Sequence, residues 1–237
     1  MAQPPTPYPD QTRSITIRVA SGIDCTPPSS GSCTSSVSSC SLNPAITLDS
    51  HSESSQGAIC ATKPFATNIL EYGSGGSTLL AARGGACVVS VESDKAWAQN
   101  MRKCLSRESL ENRARIHYAN IGPTRAWGYP EKYSRWRNIH YAAYSRSVWF
   151  RPDLRHPSIV LIDGRFRVGC FFYCAYRIKH KTRFIFDDYI GREHYKAVEI
   201  LSAPNIIIGR MAVFDMEPGM ITKQVWQSSR DARLSPA

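Results

Sequence analysis

Short apolar runs alternate with amphipathic stretches through most of this 237-residue chain. The runs are rich in Val and Ile and are bounded by Gly, Pro, Ser or Asp, which is typical of β-strands. Strands are predicted over residues 66–72, 86–92, 116–121, 158–163, 183–187, 205–209 and 211–216.

Helical periodicity fills several of the gaps between these strands. Helices are predicted over residues 77–83, 95–106, 165–178 and 193–201. Asp94 stands where it can cap the second helix, and residues 165–178 are apolar almost all round, which indicates deep burial. This alternation predicts an α/β fold with a doubly wound, mostly parallel sheet in three αβα layers, ending in an antiparallel hairpin.

A glycine-rich turn follows the first predicted strand. Gly73, Ser74 and Gly75 let the backbone turn tightly and approach a ligand, and the following helix start offers free N–H groups. Glu71 would repel a pyrophosphate but would accept hydrogen bonds from a cationic or hydroxyl-rich ligand. Thr78 occupies the place of the third glycine in the dinucleotide fingerprint, which disfavours a dinucleotide.

Acidic residues stand at the ends of several predicted strands. In a parallel sheet these ends share one edge, where ligands bind in this class of fold. The acids are Glu71, Glu92, Asp163, Asp187 and Asp188. We therefore expect one site built from several strand ends.

The sequence over residues 66–217 resembles a class I S-adenosylmethionine-dependent methyltransferase. Residues 71–77 are similar to the family's first motif, Glu-x-Gly-x-Gly-x-Ser. The ordered set of further segments is similar to that of small, mostly uncharacterised bacterial-type methyltransferases. These segments are residues 121–124, 127–130, 161–167 and 187–189. The resemblance implies a Rossmann-like fold and S-adenosylmethionine as cofactor.

The resemblance also implies roles for individual residues. Glu71 and the glycine turn would hold the methionine part of the cofactor, Glu92 its ribose and Asn120 its adenine edge. Asp163 would face the methionine amine or the reacting centre. The implied cofactor-binding set is Glu71, Gly73, Ser74, Gly75, Glu92, Asn120 and Asp163.

A metal site is a further expectation. Asp163, Asp187 and Asp188 resemble the metal-binding arrangement of catechol-type O-methyltransferases, and three oxygen ligands suit Mg²⁺. Asp163 and Asp187 are the candidate catalytic residues. Phe166 stands where those enzymes carry a lysine. In the alternative, Asp187 and Asp188 cap loops and Asp163 contacts only the cofactor.

Residues 122–156 interleave arginines with aromatic residues and are predicted to cover the substrate. Together with later residues they supply the substrate candidates Trp127, Tyr129, Arg165 and Asp188. Such a mixture can bind single-stranded nucleic acid or an anionic or aromatic small molecule. In the alternative, the aromatic residues form a small packed core and the arginines are solvated.

Composition divides the chain into three parts. Residues 1–60 are rich in Ser and Pro and are predicted to be a disordered extension, with organelle targeting left open. Residues 61–220 form the predicted methyltransferase domain, and residues 221–237 a C-terminal tail. No apolar run is long enough to span a membrane, so we expect a cytoplasmic protein with its eight cysteines reduced.

These observations favour a methyltransferase that acts on oxygen of a small-molecule or glycan-like acceptor. A net charge of +10 attracts anionic partners, so a nucleic-acid-binding protein or an RNA methyltransferase is an alternative. The third interpretation is a nicotinamide-dependent oxidoreductase, which Glu71 and Thr78 disfavour.

Overall fold

The computed structural model describes residues 67–131 and 138–235. The predicted extension over residues 1–60 lies outside this range. Within the described part, one mixed sheet has the strand order β3-β2-β1-β4-β5-β7-β6. The strands are β1 Asn68–Tyr72, β2 Cys87–Glu92, β3 Ala114–Tyr118, β4 Ile159–Ile162, β5 Thr182–Phe186, β6 Ile206–Ile208 and β7 Met211–Met216.

The pairing of these strands confirms the predicted sheet. Strands β1 to β5 run parallel to one another, whereas β7 runs antiparallel to both β5 and β6. The chain order reverses between β1 and β4, so the carboxyl ends of these two strands form the switch point where this class of fold binds ligands.

Helices cover both faces of the sheet. They are α1 Gly76–Arg83, α2 Lys95–Arg107, α3 Asn138–Arg146, α4 Arg167–Arg177, α5 Lys223–Ser228 and α6 Arg230–Arg233. The predicted cap of α2 is confirmed, because the Asp94 side chain accepts a hydrogen bond from the Trp97 backbone N–H at 2.8 Å. The predicted burial of α4 is also confirmed, since every residue from Arg167 to Ala175 is buried.

Helices α3, α5 and α6 were not predicted, and two of the predicted elements differ. The third strand is displaced from residues 116–121 to Ala114–Tyr118, because the chain turns at Asn120, whose Oδ1 accepts the Gly122 N–H at 3.0 Å. The segment Glu193–Ile200 is a 3-10 helix. Periodicity alone does not separate its spacing from that of an α-helix.

Two apolar clusters hold the layers together. The larger one joins α3 and α4 to the central strands around Phe171, Phe184 and Phe214. The smaller one joins α1 and α2 to β2 and β3 around Met101 and Leu105. Both faces of the sheet are therefore covered. No helix in the described ranges has the length and apolarity to cross a membrane.

The cysteines follow the expectation only in part. Cys170 and Cys174 are buried free thiols on α4, and Cys104 is also a free thiol. Cys87, at the start of β2, is disulfide-bonded, so the expectation of reduced cysteines was wrong for this residue. Sequence spacing does not reveal such a bond, because a disulfide depends on which side chains the fold brings together.

Candidate active site

The glycine turn after β1 packs directly against the turn after β4. Gly73 has a φ of +98°, and a Cβ there would stand 2.7 Å from the backbone nitrogen of Gly164. A Cβ on Gly164 would in turn stand 2.0 Å from the Tyr144 hydroxyl. Both positions therefore require glycine, and this contact brings the ends of β1 and β4 together.

Glu71 lies beneath this turn and is fully buried. Its carboxylate accepts hydrogen bonds from the hydroxyl groups of Ser77 and Thr78 in the first turn of α1. Burial raises the pKa of Glu71, and these two hydrogen bonds oppose the rise. Thr78 also accepts the Gly75 N–H at 3.0 Å. Glu71 therefore anchors the turn to α1 from inside the fold.

Glu92 lies at the end of β2 beside the same turn. One carboxylate oxygen accepts the backbone N–H groups of Ser93 at 2.6 Å and Asp94 at 2.8 Å. The other accepts the Ser74 N–H at 3.4 Å, which joins the strand end to the glycine turn. Burial raises the pKa of Glu92, whereas these N–H groups lower it. The structure thus brings Ser74 and Glu92 together.

Gly75 differs from Gly73 in its surroundings. Its backbone is extended, with a φ of −171°, and a Cβ built on it would meet nothing within 4 Å. Neither backbone strain nor packing within the described residues requires glycine at this position. Gly75 thus opens space at the N-terminus of α1.

A cluster of carboxylates and arginines lies at the ends of β4 and β5. Ligand oxygens of Asp163, Asp187 and Asp188 all lie within 4.8 Å of one another. The buried Arg167 guanidinium contacts Asp163 at 3.0 Å and Asp188 at 3.5 Å, and it also donates to the Asp187 carbonyl. Loss of hydration, together with the nearby carboxylates of Asp187 and Asp188, raises the pKa of Asp163 to about 7. The positive charge of Arg167 opposes this rise.

Two further arginines complete this cluster. Arg210 contacts Asp188 at 2.9 Å and Asp187 at 3.7 Å, and Arg192 contacts Asp188 at 3.1 Å. The Asp163 side chain is 45% exposed, whereas that of Asp188 is 17% exposed. Asp163 is thus the carboxylate of this group that is most open to a ligand.

The segment after β3 folds against the end of β2. Gly128, with a φ of +70°, lies so close that a Cβ there would stand 2.6 Å from Ser93 Oγ and 3.5 Å from Glu92 Oε1. The Ser93 hydroxyl donates to the Gly128 carbonyl at 3.2 Å. This segment therefore covers the Glu92 side of the carboxyl edge.

The substrate candidates on and near that segment have different surroundings. The Arg165 guanidinium stacks on the Tyr129 ring at 4.2 Å, and Trp127 is 73% exposed. By contrast, Tyr141, Tyr144 and Trp149 are buried in the larger core. The packed-core alternative therefore holds for these three aromatic residues.

Comparison with solved structures identifies the fold. The chain is similar to a methyltransferase-like protein from Silicibacter pomeroyi DSS-3, with 41% identity and a TM-score of 0.65; the match covers 73% of this chain and 89% of that one. The chain belongs to the class I S-adenosylmethionine-dependent methyltransferase family.

More distant similarities add nothing to the argument about activity. An O-methyltransferase from Bacillus cereus, solved with S-adenosylhomocysteine, has 19% identity and a TM-score of 0.40 over 58% of this chain and 55% of that one. An RNA methyltransferase from Salinibacter ruber has 16% identity and a TM-score of 0.39 over 66% of this chain and 84% of that one. Neither a scan of protein-family models nor a search of curated proteins gave a match.

The glycine turn fits the family's cofactor. The open space above Gly75 admits a ligand to the N-terminus of α1, and Glu92 lies beside it with hydrogen-bonding capacity for hydroxyl groups. Asn120 follows β3 and is exposed, although its Oδ1 already accepts the Gly122 N–H. These residues would hold S-adenosylmethionine, whose sulfonium supplies the methyl group in this family.

The carboxylate cluster fits Mg²⁺ poorly. Three carboxylates are the right donors for this ion. However, Arg167, Arg192 and Arg210 already contact these carboxylates and offset their charge. A metal ion would have to displace at least some of these ion pairs.

Sequence reasoning missed three contributors to the site. Arg167 links the ends of β4 and β5, and no helical spacing marks its pairing with Asp163, because α4 begins only at Arg167. Trp97 donates its indole N–H to the Ser74 carbonyl at 2.8 Å, and Ser90 Oγ lies 2.9 Å from Ser74 Oγ. No local motif marks Trp97 or Ser90, because their role depends on the packing of α2 and β2 against the turn.

Proposed function

We propose that this chain transfers the methyl group of S-adenosylmethionine to an oxygen atom of a small-molecule or glycan-like acceptor. The observation that supports cofactor binding best is the junction of Ser74, Gly75 and Glu92, where a glycine turn with open space adjoins a strand-end carboxylate. The 41% identical methyltransferase-like protein supports the same activity class.

In this proposal the chain binds and orients the reactants. Glu92 accepts hydrogen bonds from the ribose hydroxyls, and Gly75 permits close approach of the methionine part. The segment around Gly128 excludes water from the Glu92 side. Holding two reactants in line and away from water supplies most of what methyl transfer needs.

Asp163 is the proposed acceptor for the proton that the attacking hydroxyl group loses. It is exposed at the carboxyl edge, and Arg167 fixes its position through a 3.0 Å contact. With a pKa near 7, Asp163 exchanges protons readily at neutral pH. Asp187 and Asp188 hold Arg210 and Arg192 in this arrangement through ion pairs.

The proposal is tested by a methyl-transfer assay with labelled cofactor and two groups of acceptors. We expect transfer to hydroxylated small molecules or glycans, and a kcat about 100-fold lower in Asp163→Asn. Asp215→Asn is the control, since Asp215 pairs with Arg183 near the amino end of β5. Unchanged turnover in Asp163→Asn would remove Asp163 from the mechanism.

The same assay tests the Mg²⁺ expectation. Because arginines already contact the three carboxylates, we expect EDTA to leave the rate unchanged. A rate that EDTA abolishes and Mg²⁺ restores would show that a cation displaces these arginines.

An RNA methyltransferase is the second candidate. It is favoured by Arg125 and Arg165, whose guanidinium groups lie over the Tyr129 ring at 5.7 Å and 4.2 Å. Stacked arginine and aromatic side chains bind single-stranded nucleic acid. Labelled methyl transfer to RNA, with none to small hydroxylated acceptors, would support this candidate over the first.

A further inference from the structure

A cavity lies between α3 and the C-terminal helices α5 and α6. Its volume is about 440 Å³, within the range of small-molecule sites. The lining residues are Ala142, Arg146, Trp226, Gln227, Arg230, Arg233 and Leu234. Nothing in the proposed methyl transfer uses this cavity.

Three guanidinium groups line this cavity. Arg233 is half-buried and is fixed in position, since it donates to Ser229 Oγ at 3.1 Å and to the Trp226 carbonyl at 2.7 Å. Its guanidinium also stacks on the Trp226 ring at 3.7 Å. Arg146 and Arg230 are exposed at the same cavity. The site thus combines one oriented guanidinium with two accessible ones.

The described side chains around the cavity include no carboxylate that balances the positive charge of these arginines. Among the side chains that the structure describes, no ion pair joins Arg146, Arg230 or Arg233 to an acid. In the sequence, Asp231 is the one acidic residue of α3, α5 and α6. Burial, together with Arg146 and Arg230, lowers the pKa of Arg233 to about 10.

An anion would relieve this imbalance. Guanidinium groups bind phosphate and carboxylate oxygens through paired, charge-assisted hydrogen bonds, and Arg suits phosphate especially well. Three convergent guanidiniums match a group with several anionic oxygens rather than a single charge. The arginine clusters at β4 and β5 differ, because their charges already contact Asp163, Asp187 and Asp188.

We propose that the cavity between α3, α5 and α6 is a binding site for a small organic phosphate with more than one negative charge. Arg146 and Arg230 contact its anionic oxygens, and Arg233, held by Trp226 and Ser229, forms the fixed wall of the site. This inference is independent of the proposed methyl transfer, because it rests on a different set of helices.

Titration calorimetry with pyrophosphate at constant ionic strength tests this site. We expect saturable binding to the full chain, about tenfold weaker in Arg146→Gln and in Arg230→Gln, and no detectable binding in the double variant. Arg107→Gln is the matched control, since it removes the same charge from the exposed end of α2. Melting curves in chloride buffer should coincide for all four variants and the original chain.

Two further ligands, citrate and single-stranded RNA, test which chemical class of anion the cavity binds. Citrate, a carboxylate anion of similar charge, should bind more weakly than pyrophosphate if the site selects phosphate. Single-stranded RNA should compete poorly with pyrophosphate. Equal pyrophosphate affinity in the double variant, or binding of RNA with none of pyrophosphate, would overturn the proposal. Binding of S-adenosylhomocysteine should be the same in all these variants, so the two proposals fail separately.

Discussion

At the scale of single residues, identical side chains have different roles because their surroundings differ. Glu71 is enclosed and anchors α1 through Ser77 and Thr78, whereas Glu92 adjoins the open turn. In the sequence both acids stand at strand ends, and both are predicted to bind the cofactor. Only packing separates a carboxylate that supports the turn from one that can meet a ligand.

His117 on β3 gives a prediction for stability. Its Nε2 lies 2.7 Å from Ser147 Oγ, and burial, followed by the charges of Arg151 and Arg102, lowers its pKa to about 4. The unfolded chain protonates this histidine near pH 6.5, while the folded chain keeps it neutral. Its contribution to stability is therefore complete above pH 6.5 and is lost as the pH falls towards 4.

When the pH is lowered from 7 to 4.5, the unfolding free energy should fall less in His117→Gln than in the original chain. We expect the two decreases to differ by about 1–2 kcal/mol. Urea unfolding at several pH values measures this difference. Parallel stability curves for the two proteins would show that His117 titrates normally in the fold.

At the scale of elements, the turns after β1 and β4 decide the geometry of the site. Gly73 and Gly75 lie two residues apart in one motif, yet only Gly73 has a positive φ and a backbone neighbour at contact distance. The sequence motif predicts both glycines as ligand contacts. The structure separates a glycine that the fold needs from one that it does not.

This separation predicts opposite results for two alanine variants. Gly73→Ala should destabilise the fold by about 2–4 kcal/mol, because its Cβ meets the Gly164 backbone and its φ becomes strained. Gly219→Ala is the control for strain alone, with a φ of +82° and nothing within 4 Å. It should cost about 1 kcal/mol.

Gly75→Ala should leave the unfolding free energy nearly unchanged but weaken S-adenosylhomocysteine binding, because its Cβ enters the open space at the start of α1. Chemical unfolding and titration calorimetry on the same preparations measure the two quantities. A stable Gly75→Ala with unaltered affinity would show that the ligand does not approach this turn.

At the scale of the whole molecule, apolar patterning was sufficient to predict the sheet. The Val- and Ile-rich runs around Val88 and Val160 predict buried parallel strands, and the antiparallel end followed from the close spacing of the last two strands. The all-round apolar pattern near Phe171 predicted the buried helix α4. These elements depend on the burial of apolar side chains, and the spacing of apolar residues in the sequence indicates that burial directly.

Other features depended on contacts between distant segments. The interleaved aromatics of residues 122–156 look alike in sequence, but Tyr144 packs beside Tyr72 and Phe166 while Trp127 is exposed. The role of Arg167 required the ends of β4 and β5 to meet. The cavity between α3 and the C-terminal helices is lined by two segments for which the sequence predicted other roles. Residues 122–156 were predicted to cover the substrate, and residues 221–237 to form a C-terminal tail.

If the glycine turn and Glu92 hold S-adenosylmethionine, titration calorimetry with S-adenosylhomocysteine will detect it. Glu92→Gln removes the charge at the proposed ribose contact, and Glu108→Gln is its control, because Glu108 pairs with Arg83 on the surface. We predict saturable binding to the original chain and to Glu108→Gln, and at least about tenfold weaker binding to a folded Glu92→Gln. Absence of binding to the folded original chain, or equal affinity in all three proteins, would show that Glu92 does not hold this cofactor.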